Sequence, residues 1–173
     1  VLDAFWPLSM LGMFVIGVKI AFAGRSIVGR SPEGVARLGG ARHEVLPDRI
    51  ETGTYAMAVA MTGGDVQLSG TRPELLQSAL DVLTQAGATV TPNNDGIRIS
   101  RNGSGLKPVN VTTAPFPGFA TDMQAQFMSM LTLAQGTSLL TETIFENRYM
   151  HVPELQRMGA DIEVRSRSAV VRG

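Results

Sequence analysis

Residues 114–127 read Ala-Pro-Phe-Pro-Gly-Phe-Ala-Thr-Asp-Met-Gln-Ala-Gln-Phe, and they predict a loop followed by the start of a helix. Two prolines and a glycine keep the first seven of these residues out of helix and strand alike. Thr121 then offers a hydroxyl at the N-cap of a helix, and Gln124 follows three residues later as its capping-box partner. The spacing of the apolar residues predicts a helix from Asp122 to Gln135 whose buried face consists of Met123, Phe127, Met130, Leu131 and Ala134.

Asp122 lies in the first turn of this predicted helix, and two interpretations of it are open. Acidic residues in a first turn are common because the helix dipole stabilises them, and this needs no function. However, residues 114–120, which we call the approach segment, are apolar and aromatic, and we interpret them as one wall of a site beside the Asp122 carboxylate. The downstream run 141–151 also combines polar, charged and aromatic residues without a period, as loops at functional sites do. Asp122 is therefore a candidate catalytic residue.

The chain uses one structural unit twice. Capping boxes that begin at Asp48 and Thr121, and helix-closing glycines at Gly87 and Gly159, are each about 72 to 73 positions apart, which indicates a duplication. Each unit has the order strand, helix, strand, helix, hairpin. The predicted bounds are 35–105 for the first unit and 106–173 for the second, with 1–34 as the tail of a repeat from a neighbouring domain.

The elements within the two units follow from periodicity, caps and turn residues. We predict strands at 43–46, 65–69, 109–111 and 137–141, helices at 48–62, 73–86, 122–135 and 152–158, and hairpins at 89–99 and 161–171. One difference separates the units, because the segment 69–72 of the first is replaced in the second by the charged run 141–151. We interpret this run as an insertion into one copy of a repeat, which is where function is expected.

Charge and cysteine content exclude several classes of protein and site. The 15 basic and 15 acidic residues cancel, and no Lys/Arg cluster with interleaved aromatics is present, so nucleic acid is not an expected partner. The chain has no cysteine, which excludes disulfides, thiolate metal sites and a cysteine nucleophile within it. His43 and His151, the two histidines, are far apart in sequence, so we expect neither a metal site nor a cofactor.

The segment 4–24 is the most apolar part of the chain and is long enough to raise a transmembrane interpretation. Pro7 and Lys19 argue against a membrane span, and the basic region and cleavage site of a signal peptide are missing. We expect a buried helix and strand here, packed on a neighbouring part of the protein, and no membrane segment. The chain also lacks an initiator Met, so we expect it to be part of a longer protein.

Three blocks of sequence resemble the UDP-N-acetylglucosamine enolpyruvyl transferase family. They lie at 46–54, 116–127 and 141–155, and they contain Leu-Pro-Asp-Arg-Ile-Glu-Thr-Gly-Thr, Phe-Pro-Gly-Phe followed by Thr-Asp-Met-Gln-Ala-Gln-Phe, and Thr-Glu-Thr-Ile-Phe-Glu-Asn-Arg. Their length and order make the resemblance specific, and it covers 17–173. Enolpyruvyl-shikimate-phosphate synthase, the sister enzyme, resembles the chain only in the repeat architecture.

This resemblance implies both a fold and a reaction. The fold is expected to be α/β, with two domains that are each an inside-out α/β barrel made of three copies of the unit. The chain would hold two copies from one domain and the tail of the other. The implied reaction transfers the enolpyruvyl group of phosphoenolpyruvate to the 3′-hydroxyl of UDP-N-acetylglucosamine and releases phosphate. This would be the first committed step of peptidoglycan precursor synthesis, in the bacterial cytoplasm.

The resemblance also assigns individual residues. Asp122 corresponds to the catalytic carboxylate that meets the attacking sugar hydroxyl. The positions expected to contact the substrate are Thr121, Asp122, Ile144 and Phe145. The charged positions expected to line the interdomain cleft are Asp48, Arg49, Glu51 and Arg148. The expected partners are UDP-N-acetylglucosamine, phosphoenolpyruvate and the remainder of the same enzyme.

The chain departs from the family pattern in places. Ala120 stands where the pattern has proline, and residues 1–16 fit it poorly. The family's loop cysteine and the basic residues that bind phosphoenolpyruvate belong outside this chain, so we expect the chain alone to be inactive. The competing interpretation is a non-catalytic structural or interaction module with the same repeat fold, in which Asp122 only stabilises the start of a helix.

Overall fold

The structure is a computed structural model that describes Arg42 and residues 44–173. Leu46–Gly173 form one compact unit. The predictions made for 1–34, including the apolar segment 4–24, and for His43 lie outside the described residues. Within the described part of the chain, no helix is both long and apolar enough to cross a membrane.

The first half of the compact unit contains an antiparallel three-stranded sheet. Its elements, in chain order, are α1 (Arg49–Thr62), β1 (Gly64–Ser69), a 3₁₀ turn (Pro73–Leu75), α2 (Gln77–Gln85), β2 (Thr89–Asn93) and β3 (Gly96–Arg101). The strand order is β1-β3-β2, so the last strand lies in the middle. Asp48 begins α1 as predicted, because its carboxylate accepts the backbone N–H of Ile50 at 2.7 Å and that of Glu51 at 3.3 Å.

The second half contains a four-stranded mixed sheet. Its elements are β4 (Val111–Thr112), a 3₁₀ turn (Thr121–Met123), α3 (Gln124–Leu131), β5 (Thr137–Thr141), α4 (Val152–Arg157), β6 (Asp161–Arg165) and β7 (Ser168–Arg172). The strand order is β4-β5-β7-β6, in which only β4 runs parallel to its neighbour. The three strands β5, β7 and β6 therefore repeat the arrangement of β1, β3 and β2.

The two sheets share one register. Asp65 pairs with Ser100 in the first sheet, and Thr137 pairs with Arg172 in the second. Thr137 follows Asp65 in the chain by the same number of positions as Arg172 follows Ser100. The hairpins agree as well, because Thr89 also faces Ser100 and its counterpart Asp161 faces Arg172. The glycines that close α2 and α4, Gly87 and Gly159, both have φ of 100°, a left-handed conformation that favours glycine. The unit bounds 35–105 and 106–173 remain a prediction.

The core lies where the helices pack on the inner faces of the two sheets. The predicted buried face after Asp122 is confirmed, since Met123, Phe127, Met130 and Leu131 are fully buried and Ala134 is 1% exposed. Other fully buried side chains include Ala79, Leu83, Ile97, Ile99 and Val171. Helices α1 and α3 contact each other through equivalent positions, because Gln126 donates its amide to the Thr54 hydroxyl at 3.1 Å.

Several predicted element bounds were wrong. The helix predicted to reach Gln135 ends at Leu131, because Leu133 and Ala134 bond to carbonyls three residues back, which tightens the last turn. The helix predicted from Pro73 is a 3₁₀ turn followed by α2, with Leu76 out of helical conformation between them. Residues 44–46 do not form a strand, and the strand predicted at 109–111 is Val111–Thr112.

The interpretation of 141–151 as an insertion was also wrong. Before the run, Ser69 pairs with Gly96 and Thr141 pairs with Ser168, and after it Gly87 and Gly159 have the same conformation. The offset from Ser69 to Thr141 equals the offset from Gly87 to Gly159, so no residue has been added between them. The run therefore replaces a segment of equal length, and only its composition and conformation differ.

Candidate functional site

Asp122 lies at the surface, in the 3₁₀ turn that leads into α3. Its carboxylate is 58% exposed and pairs with Arg148, whose Nη2 lies 2.5 Å from Oδ1. The guanidinium of Arg148 in turn lies over the ring of Phe145, 5.2 Å from its centroid. Such contacts between a cation and an aromatic face are favourable electrostatically. The predicted catalytic carboxylate is thus in contact with one predicted cleft charge and, through it, with a predicted substrate position.

Thr121 is not the N-cap that the sequence predicted. The 3₁₀ turn has Ala120 at its N-cap position and no side-chain cap. The Thr121 hydroxyl instead donates to Oε2 of Glu142 at 2.7 Å, and the amide of Gln124 lies 3.4 Å from the same oxygen. A hydroxyl forms a stronger bond to a carboxylate than to a neutral partner, which explains why the tertiary contact displaces the local one.

Glu142 is the residue that the sequence interpretation missed. It is only 1% exposed, although no cation contacts it among the described residues. The signal was present in the alternation of β5, because Ser138 and Leu140 are buried and Glu142 continues the same face beyond the end of the strand. A carboxylate on the buried face of a strand requires hydrogen-bond donors from elsewhere in the fold.

Those donors converge on Glu142 from three segments. Oε1 accepts the hydroxyl of Thr113 at 2.8 Å and the backbone N–H groups of Ile144 and Phe145 at 2.8 and 3.1 Å. Oε2 accepts from Thr121. Burial acts to raise the pKa of this carboxyl, but the donated hydrogen bonds, with that of Thr121 the largest, hold the pKa below its ordinary value. Glu142 is therefore ionised at neutral pH.

Thr113 connects this carboxylate to the approach segment 114–120. Its hydroxyl donates to Glu142 and accepts the N–H of Thr143 at 2.9 Å, while its own N–H bonds to the carbonyl of Thr141 at 2.9 Å. The next residue, Ala114, bonds to the carbonyl of Phe119 at 2.9 Å, which closes the approach segment into a compact loop containing a cis peptide bond before Pro117. The loop before Asp122 and the loop after Glu142 thus share one set of contacts.

Ile144 and Phe145 follow Glu142 in the chain and leave their side chains partly or largely exposed. Their amides are held by Glu142, the Ile144 side chain is partly exposed, and Phe145 is 52% exposed. The structure therefore brings four predicted site residues, Thr121, Asp122, Ile144 and Phe145, around one buried carboxylate. Contact of these residues with a substrate remains a prediction.

The predicted cleft charges of α1 lie elsewhere. Asp48 and Glu51 line an open groove of about 450 Å³ whose other walls include Tyr55, Ser69 and Gly70. Arg49 is closer to the approach segment, with its guanidinium 5.2 Å from the ring centroid of Phe116. Of these charges, only Arg49 is connected to the loop that precedes Asp122.

Tyr149 and His151, at the end of the 141–151 run, are buried and partly buried and contact other segments of the fold. The Tyr149 hydroxyl donates to the carbonyl of Arg167 at 3.0 Å, and burial, together with the charge of Glu142, raises the pKa of Tyr149 to about 12. Burial and the nearby charge of Arg148 lower the pKa of His151, whose Nε2 lies 3.3 Å from the sulfur of Met128. Both side chains are neutral at pH 7 and serve packing. Among the residues that the structure describes, no cluster of acidic and histidine side chains is placed to hold a metal ion.

The chain is similar to known proteins over nearly its whole length. The sequence profile of the family described as EPSP synthase (3-phosphoshikimate 1-carboxyvinyltransferase) matches residues 8–172. A protein of Rhodopseudomonas palustris (strain BisA53) named UDP-N-acetylglucosamine 1-carboxyvinyltransferase is 68% identical over 158 residues, which cover 91% of this chain and 36% of that protein. A protein of the same name from Nitrobacter hamburgensis is 65% identical over 160 residues, with the same coverage. The chain thus spans 36% of the length of these curated relatives.

Solved structures show the same fold. The enolpyruvyl transferase NikO from Streptomyces tendae superposes with a TM-score of 0.67 at 25% identity, over 75% of this chain and 31% of that one. An EPSP synthase from Acinetobacter baumannii superposes with a TM-score of 0.66 at 21% identity, over 91% of this chain and 39% of that one. The α/β fold of the described residues is therefore that of enolpyruvyl transferases. With the profile matching nearly its whole length, this chain belongs to the EPSP synthase (3-phosphoshikimate 1-carboxyvinyltransferase) family.

Proposed function

We propose that the chain is part of an enzyme that transfers the enolpyruvyl group of phosphoenolpyruvate to the 3′-hydroxyl of UDP-N-acetylglucosamine and releases phosphate. The relatives that share 65 to 68% identity with it carry the name UDP-N-acetylglucosamine 1-carboxyvinyltransferase. The observation that carries the proposal is the exposed Asp122 carboxylate, paired with Arg148 beside the loop of Ile144 and Phe145. No feature of the described residues favours the alternative of a non-catalytic module.

In this proposal Asp122 accepts the proton of the sugar hydroxyl. Arg148 occupies Oδ1, and Oδ2 accepts no hydrogen bond from any described residue, which leaves it open to a substrate hydroxyl. As the sugar oxygen bonds to the central carbon of phosphoenolpyruvate, its proton passes to Asp122, and an acid outside this chain protonates the methylene carbon. Loss of phosphate and of one methyl proton then restores the double bond. A positioned base of this kind contributes roughly 10² to 10⁴ in rate.

The remaining roles concern the substrate and the cleft. We assign Thr121, Ile144 and Phe145 to the nucleotide-sugar side of Asp122. Hydrogen bonds to Glu142 hold these three residues close to the Asp122 carboxylate. Arg49 and Arg148 supply positive charge on the same wall, and each lies over an exposed aromatic ring. We assign Asp48 and Glu51 to a neighbouring part of the cleft, and the open groove that they line supports this assignment.

The same proposal extends to the architecture and location of the whole protein. Two sheets with one register are two of the three units of an inside-out α/β barrel, and the remainder of the enzyme supplies the third unit and the second domain. Its place of action is the bacterial cytoplasm, where peptidoglycan precursors are made. The chain by itself is proposed to be inactive, because it has no cysteine to serve as the acid and because Arg49 and Arg148 are the two cations assigned to the wall beside Asp122, which is few for the anionic phosphoenolpyruvate.

The test uses a full-length host, since this chain spans only 36% of its relatives. Leu46–Gly173 would replace the aligned segment of the R. palustris BisA53 relative, and phosphate release from phosphoenolpyruvate would be measured with and without UDP-N-acetylglucosamine. We expect release that depends on the nucleotide sugar, at a rate within about tenfold of the unmodified host, because the two proteins are 68% identical over the 158 residues that align.

The unmodified host and the isolated chain serve as the positive and negative controls. A folded chimera without turnover, in a preparation whose host is active, would contradict the proposal. Turnover by the isolated chain would contradict the assignment of the acid and of the phosphoenolpyruvate ligands to segments outside it.

A further inference from the structure

Glu142 is a buried carboxylate with no role in the chemistry described so far. Its two oxygens accept from two hydroxyls, two backbone amides and one side-chain amide, so among the described residues the cost of burying its charge is offset by dipoles rather than by a cation. Such an arrangement is directional, because every donor must point at the carboxylate at once. Displacement of the carboxylate therefore displaces several segments together.

The segments held by Glu142 are those that meet at Asp122. Thr121, the residue before Asp122, is fixed on one oxygen, while the amides of Ile144 and Phe145 are fixed on the other. Phe145 then supports Arg148, and Arg148 pairs with Asp122. A closed set of contacts thus runs from Glu142 to Asp122 by two routes, one along the backbone and one through the 144–148 loop.

The fold does not require a carboxylate at this position. Gly70 is the counterpart of Glu142 in the first sheet, since each directly follows the last residue of an equivalent strand. The N–H of Gly70 bonds to the carbonyl of Asp95 at 2.6 Å, and the N–H of Glu142 bonds to that of Arg167, the counterpart of Asp95, at 2.7 Å. The same connection between strand and hairpin is therefore built once with no side chain and once with a glutamate. The requirement for Glu142 comes from the loops around Asp122.

We propose that Glu142 is a positioning residue that fixes Asp122 and the substrate-side loop of Ile144 and Phe145 relative to each other. This inference rests on the proposed function, in which Asp122 takes the proton of the sugar hydroxyl. Its physical basis is that a displacement of about 1 Å at a reacting group costs on the order of 10² in rate. Loss of the Glu142 contacts lowers turnover through Asp122 without removing any group that touches the reacting atoms.

The experiment compares conservative pairs in the full-length chimera described above. Glu142→Gln keeps the shape but removes the charge, and Thr121→Val keeps the shape but removes the hydroxyl that donates to Oε2. Thr121→Ser retains that donor and is the rescue variant. Ile99→Val, in the fully buried core of the first sheet, is the control for a loss of stability that lies away from the site.

We expect kcat to fall about tenfold in Glu142→Gln and in Thr121→Val, and to recover most of that loss in Thr121→Ser, because the retained hydroxyl restores the bond. Ile99→Val should lower Tm while leaving kcat within about twofold. In an Asp122→Asn background, Thr121→Val should produce no further tenfold loss, since residues that act as a unit are not additive.

The outcomes separate this inference from the function on which it rests. An inactive chimera overturns both. An active chimera in which Asp122→Asn is impaired, but in which Thr121→Val and Glu142→Gln change Tm and leave kcat unaffected, overturns only the positioning role. Equal losses in Thr121→Ser and Thr121→Val, or a full tenfold effect of Thr121→Val on top of Asp122→Asn, overturn it as well.

Discussion

The two sheets of this chain have the same strand register, but the residues directly after their corresponding strands β1 and β5 differ. In the first, Gly70 has φ of 69°, no described residue lies within 4 Å of where its side chain would be, and the space beside it is an open groove. In the second, Glu142 fills the corresponding position and gathers Thr113, Thr121 and the amides of the next loop. The second sheet therefore has a buried carboxylate beside the loops of Asp122, while the first has an open groove at the corresponding place. The buried polar contacts around Glu142 distinguish the two copies of one topology.

The helices that begin each unit show the same contrast. Asp48 caps α1 with its own side chain, whereas the matching position before α3 is Ala120. No side chain caps the turn or α3, and Glu142, beyond the next strand, instead accepts the hydroxyl of Thr121 at the start of that turn. The cap at Asp48 is a contact within one segment, whereas the bond from Thr121 to Glu142 couples two loops. This coupling is what a site built from two loops needs.

The largest expected effect is at Asp122. In the active chimera, Asp122→Asn should lower kcat about 100-fold or more while the Tm stays close to that of the parent, because shape is kept and the proton acceptor is lost. Asp161→Asn, which alters another exposed aspartate paired with an arginine at 3.0 Å, is the matched control and should leave kcat unchanged. Near-normal turnover of Asp122→Asn would show that Asp122 is not catalytic and only stabilises the start of the helix.

A second prediction concerns the first sheet. Arg101 donates to the carbonyls of Ala60 and Met61 at the end of α1 and to that of Ser104 at 2.7 Å, and its counterpart in the second unit is Gly173. Arg101→Ala should lower the free energy of unfolding by about 2 kcal/mol, because carbonyls that an arginine had satisfied lose their donors. Urea unfolding of the chain measures this.

The control for that variant is Arg98→Ala, which breaks an exposed pair with Asp65. It should change stability less than Arg101→Ala, since exposed ion pairs contribute little. Equal effects of the two variants would show that the end of α1 does not depend on Arg101.

A third prediction tests the charge of Glu142 through pH. Its pKa in the folded chain lies below the ordinary value of 4.5, so the ionised form stabilises the fold above that pH, and the stabilisation is lost as pH falls through the folded pKa. Glu142→Gln should therefore be less stable than the parent by about 1 kcal/mol at pH 7, the difference between charged and neutral hydrogen bonds, and the gap should shrink below pH 4.5.

Urea unfolding at about pH 7 and about pH 3.5 measures that gap. Glu163→Gln, at an exposed carboxylate paired with Arg165 and Arg172, serves as the surface control. A gap for Glu142→Gln that is the same at both pH values would mean that shape, and not charge, holds the two loops together.

The smallest expected effect lies between the units. Gln126 and Thr54 are equivalent positions of α3 and α1 that bond to each other at 3.1 Å. A double-mutant cycle with Gln126→Ala and Thr54→Val should give a coupling energy of about 0.5 kcal/mol, which is the low end for a neutral hydrogen bond. A coupling near zero would indicate that apolar packing alone joins the two helices.

Local signals predicted most of the fold correctly. Caps, alternation and turn residues predict the start of α1 at Asp48, the strand Thr137–Thr141 and both hairpins. The resemblance of three sequence blocks to UDP-N-acetylglucosamine enolpyruvyl transferases agrees with the names of the curated relatives. Element ends were less predictable. The end of α3 is set by backbone hydrogen bonds to carbonyls three residues back, and no residue type in the sequence there predicts them.

By itself, the sequence determined the repeat and the buried faces, because periodicity and spacing are properties of the chain alone. The residues expected around Asp122 came from the resemblance of three sequence blocks to a known family. Only the tertiary structure decided what Thr121 does and that Glu142 lies at the centre of the site. A helix cap is a contact over two or three residues, so the sequence could indicate the one at Asp48. The bonds of Glu142 to Thr113 and Thr121 span 29 and 21 residues, and they exist only because the second sheet brings those segments together.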